Sequence, residues 1–178
     1  MTPTLRPWRM DDAPALAAML DNPRVQAQLR DLPFPYTLAD AEEYITAMQG
    51  APSGQVWACA IDAGGRAVGS IAAIRKDNIH ARTAEIGYYI AEPCWRKGYG
   101  TSAVRQLAAF LMATSDLLRL SAEVFAANTA SCRVLEKAGF SCEGIMCAHA
   151  VKNGHVMDMK MYALIRSGSC ANTMLNRQ

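Results

Sequence analysis

Apolar positions along this chain switch repeatedly between helical and alternating spacing. "LRPWRMDD" opens as a short strand over Leu5–Arg9. Asp11 or Asp12 then caps a helix with Leu16, Met19 and Leu20 on one face, and Pro14 falls in its first turn, where a missing N–H costs little. "DNPRV" reads as a break or a second short helix, and "LPFPYT" as a proline-rich loop. Thr37 starts another helix, with Ala41, Tyr44, Ile45 and Met48 at helical spacing. "QVWACAIDAGGRAVGSIAAIR" is two strands around a glycine turn, and "RTAEIGYYI" supplies a third strand, Thr83–Ile90. A helix follows over Thr101–Ala113, with Val104, Leu107, Ala108 and Leu111 on one face. Leu118–Ala126 is a strand, and Asn128–Ala138 a helix that Gly139 stops. Two last strands flank "KNGH", whose Asn153-Gly154 is a strong hairpin signal.

This order predicts an α/β (α+β) fold: one mixed sheet with flanking helices in a single domain over residues 1–166, followed by a polar, frayed tail over 167–178. Composition agrees. The chain has 178 residues, 51% hydrophobic, with a formal net charge of +2. That balance gives no ground for disorder or for direct nucleic-acid binding, so any anion site must rest on local basic clusters. No apolar run reaches the ~18 residues of a membrane span. The six cysteines form no C-x-x-C pair, and the three histidines have no ligand spacing, so no metal site is expected. With no signal peptide evident, the expectation is a cytoplasmic protein with reduced cysteines.

The stretch carrying the clearest chemistry is "CWRKGYGTS", Cys94–Ser102. Gly98 and Gly100 let backbone N–H groups come close to a ligand, the helix start adds partial positive charge, and Arg96 and Lys97 add full charges. Gly98 to Ala103 also matches G-x-G-x-x-A, but seven residues separate Ile90 from Gly98, too many for a dinucleotide fold. A Walker loop fails because Lys97 precedes Gly98, and a kinase loop joins two strands rather than opening a helix. An anion-binding loop and a solvated basic turn both remain open on this stretch alone.

"NTASCRVLEKAGF", Asn128–Phe140, adds Asn-x-x-Ser ahead of a short helix ending in Gly-Phe, one helix and one strand after the glycine loop. Together with "EIGYYIAEPCWRKGYGTSA" this resembles the GNAT acetyltransferase family. "LRPWRMDDA", "PFPYTLADAEEYI" and "CEGIM…KNGHVMDMKMYALI" resemble its Rim-type branch of ribosomal-protein N-terminal acetyltransferases, so the likeness runs from about Leu5 to Ile165. It implies acetyl-CoA as cofactor, wedged in a splay between Thr83–Ile90 and Leu118–Ala126. Backbone N–H groups of Arg96, Lys97, Gly98, Tyr99, Gly100 and Thr101 would then hold the pyrophosphate, and the backbones of Tyr88 and Ile90 would pair with the pantetheine. Asn128 would bond near the pantetheine, with Ser131 near the sulfur. Trp95 stands where the wider family carries Gln or Arg, a mark of the branch. Many members place a tyrosine seven residues after the Asn, as acid for the thiolate. Here that residue is Leu135, and Ser131 is the expected substitute.

The reaction so implied needs a neutral amine at a thioester carbonyl. An α-amino group, with a pKa near ~7.7–8.0, is far easier to deprotonate than a lysine near ~10.4. Glu85 is the candidate general base through a water, the Ile90 N–H a candidate oxyanion donor, and Phe34 and Tyr36 candidate walls of the acceptor groove. Each has a plainer reading. Asn128 and Ser131 stand at capping spacing, Glu85 suits a solvated strand end, and Phe34 and Tyr36 suit the core. Cys132 lacks a His partner and reads as packing. The acceptor is expected to be a protein N-terminus, with a small amine as the alternative and a non-catalytic acyl-CoA sensor behind it. Monomer and homodimer both remain open.

Overall fold

A computed structural model describes residues 2–30 and 32–169. The strands are β1 (Thr4–Arg6), β2 (Val56–Asp62), β3 (Ala67–Arg75), β4 (Thr83–Ile90), β5 (Arg119–Phe125), β6 (Ser141–Lys152) and β7 (His155–Ile165). The helices are α1 (Ala13–Leu20), α2 (Pro23–Gln26), α3 (Leu38–Gln49), α4 (Tyr99–Thr114) and α5 (Thr129–Lys137). The seven strands make one sheet in the order β1-β2-β3-β4-β5-β7-β6, antiparallel except for the β4–β5 pair. This is the mixed α/β sheet that the alternation of patterns predicts.

Local chemistry sets most boundaries. β1 stops at Arg6 rather than Arg9, because Pro7 has no N–H for a ladder and Trp8 turns into the core at 3% exposure. Arg6 closes this corner, donating to both oxygens of Asp12 at 2.6 and 2.8 Å and to Asp62 at 2.7 Å. Thr37 and Asp40 form a reciprocal capping box on α3, with Thr37 N–H to Asp40 at 2.7 Å and Asp40 N–H to Thr37 Oγ1 at 3.2 Å. Asn153 (φ 50°) and Gly154 (φ 77°) make the tight turn between β6 and β7. β6 carries a bulge between Met146 and Ala150, pinned where Ala148 N–H donates to Asp158 at 2.8 Å.

Two cores cover the two faces of the sheet. Ile71, Ala84, Ile86, Leu120 and Ala122 pack against Val104, Leu107 and Leu111 of α4 and Leu135 of α5. On the other face Leu16, Leu20 and Ile45 of α1 and α3 enclose Trp8, Tyr36 and Ala60, with Tyr89 against them. The alternation of β4 therefore sends Tyr88 and Ile90 toward α4 and α5, and Glu85 and Tyr89 toward the opposite face. Of the alternating methionines of β7, only Met159 is fully buried, at 2% exposure; Met157 and Met161 are half-buried. The tail expected over 167–178 lies beyond the described residues from Cys170 onward.

Candidate functional site

β4 and β5 run together for only three residues, Thr83–Glu85 against Arg119–Ser121. Beyond Glu85, β4 stays with β3 and β5 stays with β7, so Ile86–Ile90 and Ala122–Phe125 line the two sides of an open wedge. Ala91 N–H bonds to Val68, and the antiparallel alternation then directs the peptide groups of Tyr89 and Gly87 to β3 and those of Tyr88 and Ile90 into the wedge. One of these groups is already used: the Trp95 indole N–H donates to the Ile90 carbonyl at 2.7 Å.

The chain turns at the head of the wedge through a single 3-10 turn, Glu92–Cys94. Arg96 (φ 63°) and Gly98 (φ 77°) both take the left-handed conformation, which reverses the chain into α4. The helix starts at Tyr99, two residues before the sequence pattern suggests. No side chain caps the helix at Gly98, and its first i→i−4 bond runs from Ser102 N–H to Gly98 O at 3.1 Å. The N–H groups of Tyr99, Gly100 and Thr101 precede that bond at the positive end of the helix dipole, beside the exposed side chains of Arg96 and Lys97. A cavity of about 570 Å³ adjoins the loop, lined in part by Gly98, Thr101, Ser102, Arg105 and Lys137.

Across the wedge, Asn128 Oδ1 accepts from the Ser131 N–H at 3.0 Å, so the capping role foreseen for this pair is present. Ser131 Oγ lies 2.7 Å from the Tyr88 hydroxyl, which also donates to the Ser131 carbonyl at 3.2 Å. Burial pushes the Tyr88 phenol up to about 12, with the Ser131 bond working the other way. Cys132 (4% exposed) and Leu135 (0%) point into the core. The Tyr88–Ser131 contact spans 43 positions and leaves no mark in local sequence patterns.

On the opposite face Glu85 is not a solvated strand end. Arg30 donates to its carboxylate, and Lys76 sits 3.2 Å away. Burial pushes the Glu85 carboxyl up, but Arg30 and Lys76 together outweigh it and hold the group below its ordinary range. Arg30 also reaches Glu123 on β5 at 3.6 Å, and His149 Nε2 stands 3.9 Å from Glu123. One guanidinium thus bridges a carboxylate on each strand where they part. Sequence patterns gave no sign of Arg30, which follows a four-residue helix and belongs to no motif. Phe34, 63% exposed, lines a cavity of about 600 Å³ with Arg30, Phe125 and Lys152. Tyr36 is elsewhere: it is 5% exposed in the core against α1 and α3, and its hydroxyl donates to the Asp40 carbonyl at 3.3 Å.

The acetyltransferase (GNAT) domain family matches residues 4–141. The chain belongs to the GNAT acetyltransferase family. Among relatives of the chain, "Uncharacterized N-acetyltransferase p20" of Bacillus licheniformis is 26% identical over 166 residues, 92% of each chain. "Uncharacterized N-acetyltransferase YoaA" of Bacillus subtilis (strain 168) is 34% identical over 85 residues, and the match spans 48% of each chain. RimJ of Mycobacterium smegmatis, solved in complex with CoA-disulfide, superposes with a TM-score of 0.80 at 24% identity, covering 90% of this chain and 80% of that one. Spermidine N-acetyltransferase from Vibrio cholerae, solved with CoA and spermine, gives a TM-score of 0.79 at 21% identity over 93% and 96% of the two chains. At these identities the likeness to both structures is one of fold. Among the described residues no helix is long and apolar enough to cross a membrane, and no His, Cys, Asp or Glu cluster has the form of a metal site.

Proposed function

We propose that this GNAT acetyltransferase transfers the acetyl group of acetyl-CoA directly to a protein N-terminal α-amino group, with both substrates bound together. The observation that carries the reading is the wedge between β4 and β5, headed by the uncapped start of α4. Its fit to coenzyme A is chemical. The peptide groups of Tyr88 and Ile90 offer strand-like pairing to the pantetheine amides. The N–H groups from Arg96 to Thr101, with the charges of Arg96 and Lys97, suit a pyrophosphate. Bound acetyl-CoA supplies the activated acyl group as a thioester.

The chain's own residues then divide the work. The Ile90 N–H donates to the carbonyl oxygen as negative charge builds there. Ser131 donates its hydroxyl to the departing thiolate, whose ordinary pKa near ~8.5 makes a hydrogen bond sufficient. Asn128 caps α5 and thereby fixes Ser131. Glu85, held beside Glu123 by the bridging Arg30, takes the amine proton through a water. Its lowered pKa makes it a weak base, which suits an α-amino group better than a lysine. Phe34 and Phe125 wall the groove along which the acceptor chain lies.

A small cationic amine is the second reading, favoured by the two carboxylates that Arg30 now bridges. Mass spectrometry after incubation with acetyl-CoA decides between them. Peptides with free N-termini, the same peptides blocked at the N-terminus, and spermidine are offered in parallel. Acetylation of the free α-amine alone supports the proposal; modification of spermidine or of lysine side chains alone refutes it.

A further inference from the structure

We infer that Tyr88 is a positioning residue for the leaving thiolate, because its phenol decides where the Ser131 hydroxyl points. The inference rests on the reading of Ser131 given above. Tyr88 has one phenolic proton and two acceptors within reach on the same residue: Ser131 Oγ at 2.7 Å and the Ser131 carbonyl at 3.2 Å. When the phenol donates to the carbonyl, the serine hydroxyl is free to donate back to Tyr88. When the phenol donates to Oγ, that oxygen accepts a hydrogen bond, and the serine's own proton, no longer directed at Tyr88, is free to turn into the wedge. Growing negative charge on a sulfur in the wedge favours the second arrangement. The change is two hydroxyl rotations; no proton passes between atoms and no covalent bond to the enzyme forms.

The surroundings make Tyr88 suited to this. The phenol stays protonated through the neutral range because burial raises its pKa. Its ring stands beside Gly100, where an added Cβ would lie 3.7 Å from Tyr88 Cε2 and 3.6 Å from Val134 of α5. The ring is therefore held between the start of α4 and the helix that carries Ser131. Alternatives are otherwise engaged. Leu135 offers no hydroxyl and is fully buried, and the Tyr162 hydroxyl donates to Glu136 at 2.9 Å.

A double-mutant cycle tests this on the full chain: Tyr88→Phe, Ser131→Ala and the pair, with steady-state rates for an acceptor peptide and calorimetric Kd for acetyl-CoA. Loss of one hydrogen bond used in the transition state predicts that Tyr88→Phe lowers kcat about tenfold. The acetyl-CoA Kd and KM should stay within about twofold of the wild type, and the pair should be no slower than Ser131→Ala alone. Equal effects of Tyr88→Phe with and without Ser131 would overturn the inference. So would a rate loss that follows a weakened Kd, since Tyr88 would then be only a wall of the cofactor site. Full turnover in Ser131→Ala refutes the assignment of Ser131 and this inference with it. Slow Ser131→Ala beside normal Tyr88→Phe refutes this inference alone.

Discussion

The Trp95 indole N–H donates to the carbonyl of Ile90 across 2.7 Å, tying the basic loop to the last residue of β4. Arg24 stacks over the same ring at 5.6 Å and pairs with Glu92, so the loop is held from both sides. With its carbonyl taken, Ile90 presents the wedge with its N–H. Trp95→Phe keeps most of the ring and removes the bond. A net hydrogen bond of about 1 kcal/mol predicts a roughly fivefold weaker acetyl-CoA Kd by calorimetry. An unchanged Kd would mean that the bond does not order the loop.

Arg30 governs the state of Glu85. Without the guanidinium, burial is opposed by Lys76 alone, and the Glu85 pKa rises. A carboxylate needed in its charged form is then lost at a higher pH. In Arg30→Met the acid limb of kcat/KM for the acceptor should move upward in pH, and in Glu85→Gln that limb should disappear. Superimposable profiles for wild type and Arg30→Met would remove Glu85 from the reaction.

Arg6 couples stability to pH at the other end of the sheet. It is 14% exposed, between Asp12 and Asp62 at 11% each, and its hydrogen bonds hold both carboxyls below their ordinary range. Depressed carboxylates contribute stability above their unfolded pKa, near ~3.9, and lose it as pH falls through the lower folded values. Arg6→Met leaves two carboxylates without their partner and should cost about 3 kcal/mol at neutral pH. Urea unfolding should show the gap between the two proteins narrowing below pH ~4, as the wild type loses what the variant never had. A constant gap would contradict this.

The two loop glycines differ in what they need. Gly98 has open space around its Cα but φ of 77°, so Ala there is strained by about 1 kcal/mol. Gly100 has helical geometry, and an added Cβ would meet Val134 at an ordinary 3.6 Å. Gly98→Ala should lower Tm by about 2–4 °C, while Gly100→Ala should leave it near the wild type. The reverse order would show that packing rather than backbone conformation sets this turn.

The order of elements was legible in the sequence because each is written locally. Thr37 and Asp40 mark a cap, Asn153-Gly154 a hairpin, and the 3.6-residue spacing of Val104, Leu107 and Leu111 a buried helix face. The wedge was anticipated only through family likeness, since nothing within Thr83–Ile90 says where its partner strand departs. Two of the site's contacts could not be read at all. Arg30 meets Glu85 over 55 positions and Tyr88 meets Ser131 over 43, and such pairings depend on how the sheet and helices close. Phe34 and Tyr36 each allowed two readings, groove wall or core, and spacing alone could not divide them: the loop turns Tyr36 inward while Phe34 stays out.

The most direct test of the wedge is hydrogen exchange with and without acetyl-CoA, resolved at single amides. The account predicts that the largest gain in protection falls on Tyr88, Ile90 and the start of α4 from Tyr99 to Thr101, with the β6–β7 hairpin unchanged. Protection centred instead on the groove of Phe34 and Phe125, or none at Tyr88 and Ile90, would contradict it.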